Sequence, residues 1–172
     1  ELLIDWTEPK AGGLYLDLGA STALYARALK AAQPNANVLA LDFSKQMLDE
    51  ARIKAEADET NLFLVRADAR DLPFFSNTFN GIVMGGTLNE LSDPVKSLYE
   101  AHRVIKKDAP FFVMHLIKSD AWYGRLLQES IGLGGIQFWT VSESNKLFNQ
   151  GGFHVDKQLT RGIVCFSRLV SN

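Results

Sequence analysis

The stretch Leu14-Tyr15-Leu16-Asp17-Leu18-Gly19-Ala20-Ser21-Thr22-Ala23 decides the fold. A short apolar run ends in an acid and a glycine, and an Ala- and Leu-rich run follows at once. This is the pattern of a strand, a tight turn and a helix, with the turn backbone free to approach a ligand. One unit further on, Val38-Leu39-Ala40-Leu41 forms a second apolar run and ends in Asp42.

The alternation continues along the chain. Helices are expected over Thr22–Ala32 and from a Ser44 N-cap to about Ala57, the second with Met47, Leu48, Ala51 and Ala55 on one face. Leu62–Val65 and Phe79–Met84 read as the third and fourth strands. Asp93-Pro94 opens a helix to about Ile105, with Pro in the first turn. Phe111–Ile117 is a fifth strand, almost wholly apolar and therefore central. Ala121–Ser130 and Ser142–Gln150 are helical, separated by a Gly132-Leu133-Gly134-Gly135 break. Phe153–Leu159 and Ile163–Leu169 close the chain as a strand pair around Thr160-Arg161-Gly162. The expected fold class is α/β: a Rossmann-like, doubly wound, mostly parallel seven-stranded sheet with an antiparallel C-terminal strand. The 172 residues suit a single domain, 1–172, with a lid or acceptor segment at about 118–141.

Composition narrows the function classes. The chain is 47% hydrophobic and 22% charged, with 18 bases against 20 acids and a net charge of −2. Lys106-Lys107 is too short a basic run to argue for nucleic acid. The single cysteine, Cys165, excludes an intrachain disulfide and a cysteine-based zinc cluster, so no metal site is expected. It is read as a buried, inert thiol. No apolar run has the length of a membrane span. Cytoplasmic placement is the default expectation; an organelle stays open because the chain starts at Glu1 without Met.

Three strand ends carry acids: Asp17, Asp42 and Asp68. In an open parallel sheet, ligands bind beyond the carboxyl ends of the strands. A carboxylate at Asp42 suits a ribose diol, accepting two hydrogen bonds. Asp68 followed by Ala69 suits an adenine, the side chain accepting from the exocyclic amine and the backbone N–H donating to the ring. Acids that merely cap the next helices account less well for three in register.

From Leu14 to about Val113 the chain resembles a class I S-adenosylmethionine-dependent methyltransferase, in the style of the ubiquinone and menaquinone biosynthetic enzymes (methyltransferase type 11). The likeness rests on Leu16–Gly19, on Asp42-Phe43-Ser44-Lys45-Gln46-Met47-Leu48 through Ala51-Arg52, and on Asp68-Ala69-Arg70-Asp71-Leu72-Pro73-Phe74. It continues through Phe79-Asn80-Gly81-Ile82-Val83 and Leu98–Lys106. The resemblance implies S-adenosyl-L-methionine as cofactor. Asp17, Gly19, Ala20 and Ser21 would face its methionine moiety, Asp42 the ribose, and Asp68 and Ala69 the adenine. Phe43 and Met47 would offer apolar surface beside the adenine, and Leu88 would lie near the sulfonium.

The chain departs from the family pattern at Ser21 and Ala23, where glycine is usual. Ser and Ala are the smallest alternatives, and Ser21 and Thr22 can donate hydroxyl bonds to a carboxylate, so retuned rather than abolished binding is expected. Lys107-Asp108-Ala109-Pro110 replaces a Pro-Gly-Gly turn, and few residues precede the first strand.

On the acceptor side, Asn89, Glu90 and His115 are the polar candidates. Glu90 and His115 are the catalytic ones, His115 as a general base if it points into the cleft and otherwise as a packed histidine. Trp122-Tyr123-Gly124-Arg125-Leu126-Leu127, with Ile131, Phe138 and Trp139, reads as an acceptor lid or as cover for the sheet. Its content suits a small apolar or aromatic acceptor. The expected partner is that small molecule, without nucleic acid or stable membrane insertion; oligomeric state is open. Two other classes stand beside this one. One is a methyltransferase-like domain without catalysis, binding the cofactor weakly or not at all. The other is an NAD(P)-dependent oxidoreductase, which shares Asp42 but would need glycines where Ser21 and Leu24 stand.

Overall fold

The computed structural model describes residues 1–132 and 134–172; Leu133, part of the expected glycine-rich break, lies outside the described residues. A short helix α1 (Leu2–Thr7) precedes β1 (Leu14–Leu18), α2 (Leu24–Ala32), β2 (Asn37–Asp42), α3 (Lys45–Ala57) and β3 (Phe63–Arg66). Then come β4 (Gly81–Gly85), a 3-10 turn (Thr87–Glu90), α4 (Pro94–Val104) and β5 (Phe111–Leu116). The chain finishes with α5 (Trp122–Gly132), α6 (Val141–Gln150), β6 (Phe153–Arg161) and β7 (Val164–Ser171).

The seven strands form one sheet in the order β3-β2-β1-β4-β5-β7-β6. Pairs from β3 to β5 are parallel and the C-terminal strand β7 is antiparallel, as expected; the structure adds that β7 inserts between β5 and β6. The chain reverses its direction of travel across the sheet between β1 and β4. The loops leaving their carboxyl ends therefore run to opposite faces of the sheet and open a crevice there.

Strand alternation sorts the core into two layers. Leu16, Leu18, Ile82, Met84, Phe111 and Val113 pack with Leu98, Ala101 and Phe148 from α4 and α6. Tyr15, Val38, Ala40, Val83 and Phe112 pack with Ala26 and Leu29 of α2, and Trp6 of α1 meets Phe112 edge-on at 6.2 Å. Asp17 shares the face of Tyr15, so its carboxylate lies under α2.

Most elements shift by a residue or two at an end, and three of these boundaries have clear local reasons. α2 starts at Leu24 rather than Thr22, because Ser21 (φ 49) and Ala23 (φ 58) are left-handed and the chain turns through Ala20–Ala23 first. β4 starts at Gly81: Asn80 turns its Oδ1 to accept the Leu14 N–H at 3.0 Å, and Phe79 pairs only as a bridge to Ile105. The final turn sits at Gly162 (φ 59) and Ile163, since β6 runs to Arg161. Ser44 caps α3 and Asp93 caps α4, as their positions in the sequence predict. Cys165 is buried.

The Leu98–Lys106 motif has a structural role. Arg103 donates from Nη1 to Phe74 O at 2.7 Å and from Nη2 to Leu72 O at 2.9 Å, while Glu100 accepts the Leu72 N–H at 2.8 Å. The same two side chains pair with each other at 2.7 Å. This clamp fixes the Asp71–Phe74 turn that follows the third strand-end acid.

Candidate functional site

A cleft of about 640 Å³ opens at the carboxyl ends of β1, β2 and β4. A second hollow of about 260 Å³ adjoins it, and Gly19, Ser21 and Gly85 line both. The first is lined by Asp42, Phe43 and Met47 on one side and by Asp68, Ala69 and Arg70 on another. The second holds Asp17, Ala20 and Tyr25.

Asp42 is held open to the cleft by backbone alone. Its Oδ2 accepts the Ser21 N–H at 2.8 Å and its Oδ1 accepts the Ser44 N–H at 2.8 Å. Among the described residues no cation pairs with this carboxylate, which leaves lone pairs for ligand hydroxyls. Met47 lines the same wall, its sulfur 3.4 Å from the Ser21 hydroxyl. Phe43 is exposed, with the Arg66 guanidinium 5.9 Å from its ring centre.

Asp17 is buried and accepts the Ala26 N–H at 2.8 Å. Burial pushes its carboxyl up to about 7, and the nearby Asp42 charge adds to the rise. No cation pairs with it among the described residues. An unpaired acid at the edge of a hollow fits the ammonium of a methionine moiety, and Asp42 fits a ribose. The residues present therefore suit S-adenosylmethionine.

Gly19 is required where it stands. Its φ is +70, and a Cβ there would lie 2.2 Å from Thr87 Cγ2. Thr87 also donates its hydroxyl to Gly19 O at 2.8 Å, closing the β1 loop against the 3-10 turn. Thr87 faces the cleft, whereas the neighbouring Leu88 is fully buried in the core and lines neither hollow. The 3-10 turn rotates the chain, which exchanges the two faces relative to a strand continuation. Thr87 gave no signal in the sequence, because its role depends on a contact with a loop far away in the chain.

Asp68 lines the cleft but already has a partner. Arg70 donates Nη2 to its Oδ2 at 2.6 Å and Nε to its Oδ1 at 3.0 Å, and the Arg70 backbone N–H adds a bond at 2.8 Å. These bonds hold the carboxyl down at about 2. Arg70 also reaches Ser92 across the cleft at 3.1 Å.

Of the acceptor-side candidates, only Glu90 lines the cleft. His115 takes the packed alternative: it is fully buried on the α6 side of β5, edge-on to Phe148 at 5.7 Å, and neither ring nitrogen has a hydrogen-bond partner among the described residues. Desolvation lowers it to about 4, so it is neutral and removed from the cleft. Strand alternation turns it from the face that Met114 presents to the second hollow. Asn89 is a clip, its amide donating to Leu116 O and Gln137 O and its Oδ1 accepting the Leu116 N–H. The expected lid does not close the cleft: no residue of α5 lines either hollow. Trp122 and Tyr123 are 74% and 67% exposed, while Trp139 packs against the core.

The chain matches the family model described as a methyltransferase domain over residues 16–113. It is 31% identical over 132 residues to 2-phytyl-1,4-naphtoquinone methyltransferase of Nostoc sp. (strain PCC 7120), covering 75% of this chain and 58% of that protein. It is 40% identical over 98 residues to demethylmenaquinone methyltransferase of Staphylococcus carnosus, covering 56% of this chain and 40% of that protein. The chain thus spans about half the length of the curated relatives it matches. A crystal structure of a SAM dependent methyltransferase from Aquifex aeolicus has the same fold, with a TM-score of 0.80 at 24% identity over 98% of this chain and 86% of that one.

Proposed function

Because this chain belongs to the methyltransferase domain family, we propose that it transfers a methyl group from S-adenosylmethionine to a small apolar acceptor of the quinone-precursor type. The observation that carries this reading is the set of strand-end acids around two adjoining hollows, Asp42 and Asp68 at the first and Asp17 at the second, with Asp42 presented by two backbone N–H groups. The names of the two relatives support the acceptor class.

In this reading Asp42 binds the ribose and Asp17 the ammonium. Asp68 and Ala69 meet the adenine, with Phe43 and Met47 as its apolar walls. Gly19, Ala20 and Ser21 form the loop under the methionine moiety. The bound cofactor supplies a sulfonium that is already a strong electrophile, so the protein's work is alignment and exclusion of water. Glu90 is the polar group at the cleft available to orient the acceptor. His115, neutral and packed under α6, takes no part in proton transfer. Among the described residues no helix is long and apolar enough to cross a membrane. An apolar acceptor would reach the cleft from its open side, since no residue of α5 lines either hollow.

Calorimetric titration with S-adenosylhomocysteine and with NAD tests the cofactor, and mass-spectrometric detection of a methylated 1,4-naphthoquinol tests the transfer. Micromolar binding of S-adenosylhomocysteine together with a methylated product is expected. Binding of NAD alone would overturn the reading. Cofactor binding without transfer to any quinol would favour the non-catalytic alternative.

A further inference from the structure

At the opposite ends of the same strands, a third cavity of about 300 Å³ lies beneath the starts of β1 and β4 and the turn into β5. Tyr15 forms part of its wall. The ring is seated there because Gly13 and Gly81 have no side chains: a Cβ at either would lie 2.7 Å or 3.0 Å from ring atoms. Its hydroxyl accepts the Lys10 N–H at 2.8 Å, and among the described residues no group accepts the hydroxyl's own proton. Thr7 also lines the cavity, and its Oγ1 is buried without a hydrogen-bond partner among the described residues.

Around these two hydroxyls stand Lys10, Lys106, Lys107 and Arg168, against the carboxylates of Glu8 and Asp108. Arg168 is partly committed, through Nε to Trp6 O and through Nη1 to Asp156. Lys106 is bonded to Asn80 Oδ1 at 3.1 Å. Lys10 and Lys107 form no ion pair among the described residues. The lining therefore carries more donors than acceptors and more cations than anions. Buried donors without acceptors are unfavourable, and an incoming acceptor removes that penalty.

The geometry points to a second binding site here, for a small oxyanion, received by the Tyr15 and Thr7 hydroxyls and the ammonium groups of Lys10 and Lys107. It is separate from the cofactor cleft and stands whether or not the methyltransferase reading does. Water alone fills a polar hollow of this kind but does not select for anionic charge.

The probe is inorganic phosphate, titrated into the full chain against sodium chloride at matched ionic strength, with backbone amide NMR shifts as readout. Saturable shifts are expected at Lys10, Tyr15, Asn80 and Asp108, with a millimolar or tighter dissociation constant. The double variant Lys10→Ala/Lys107→Ala should weaken this at least tenfold while its S-adenosylhomocysteine affinity stays at the wild-type value. Tyr15→Phe keeps the ring between its glycines and should weaken phosphate several-fold. The site is overturned if those amides show no saturable shift, if the double variant binds phosphate as wild type does, or if the shifts fall only around Asp42–Ser44.

Discussion

The Ser21 N–H donates to Asp42 Oδ2 at 2.8 Å, so the loop after β1 and the end of β2 are one hydrogen-bonded unit. The carboxylate proposed to bind a ribose also fixes the position of the loop proposed to lie under the methionine moiety. Removing it should therefore be felt twice.

Asp42→Ala is expected to weaken S-adenosylhomocysteine binding by about 1–3 kcal/mol, because the ligand diol loses a charged acceptor. Calorimetry measures this, and an unchanged dissociation constant would remove Asp42 from the ribose site.

Ser21 holds φ 49 without being glycine. A left-handed residue with a Cβ is disfavoured by roughly 1–2 kcal/mol. Ser21→Gly should therefore raise stability in urea unfolding by about 1 kcal/mol, the lost Met47 contact offsetting part of the gain. Ala23 (φ 58) is fully buried, so Ala23→Gly exchanges relief of strain for lost packing and should be close to neutral.

Asp17 and His115 give opposing dependences on pH. Asp17 rises from 3.8 to about 7 on folding, so the native state keeps a proton that the unfolded chain has released. Its contribution to stability falls as pH rises through that interval. His115 drops from 6.5 to about 4, so stability is lost as pH falls through that interval. Asp17→Asn removes the first slope, and melting temperature in the variant should climb more steeply with pH between 4 and 6.5 than in wild type. A profile parallel to wild type would contradict the assignment. In wild type, an ammonium bound beside Asp17 favours its ionised form, so cofactor binding should release a proton below pH 7. Calorimetry in buffers of different ionisation enthalpy reads that release.

Arg103, in the clamp on the Asp71–Phe74 turn, and Arg70, at the cleft, should behave differently. Arg103 joins Glu100 to the Leu72 and Phe74 carbonyls, and Arg103→Ala should destabilise the chain by about 2 kcal/mol through lost charged hydrogen bonds. Arg70 is exposed, and its pairing with Asp68 is screened by solvent. Arg70→Ala should leave the urea midpoint unchanged, while the Asp68 carboxyl returns towards its ordinary range in a carbon-13 titration. A midpoint shift as large as that of Arg103→Ala would show that Arg70 ties the cleft walls structurally.

The strand-end acids, the Ser44 and Asp93 caps and the order of strands and helices were legible in the chain itself. Each follows from neighbours within one turn or one strand, where periodicity and capping act directly. The antiparallel β7 was also readable, because a short turn between two apolar runs permits no crossover.

Long-range contacts were not legible in the same way. That Thr87 rather than Leu88 faces the cleft depends on a 3-10 turn packed on Gly19. That His115 points under α6 depends on the alternation of β5 once its register with β4 is fixed. That α5 leaves the cleft open, and that Tyr15 reaches a cavity between Gly13 and Gly81, depends on surfaces meeting across the fold. Local backbone preference and residue type are properties of short stretches, so the strand-end acids could be read from the chain. Which of them share a space follows from the complete fold, because burial and hydrogen bonding between distant segments are satisfied by the whole chain at once.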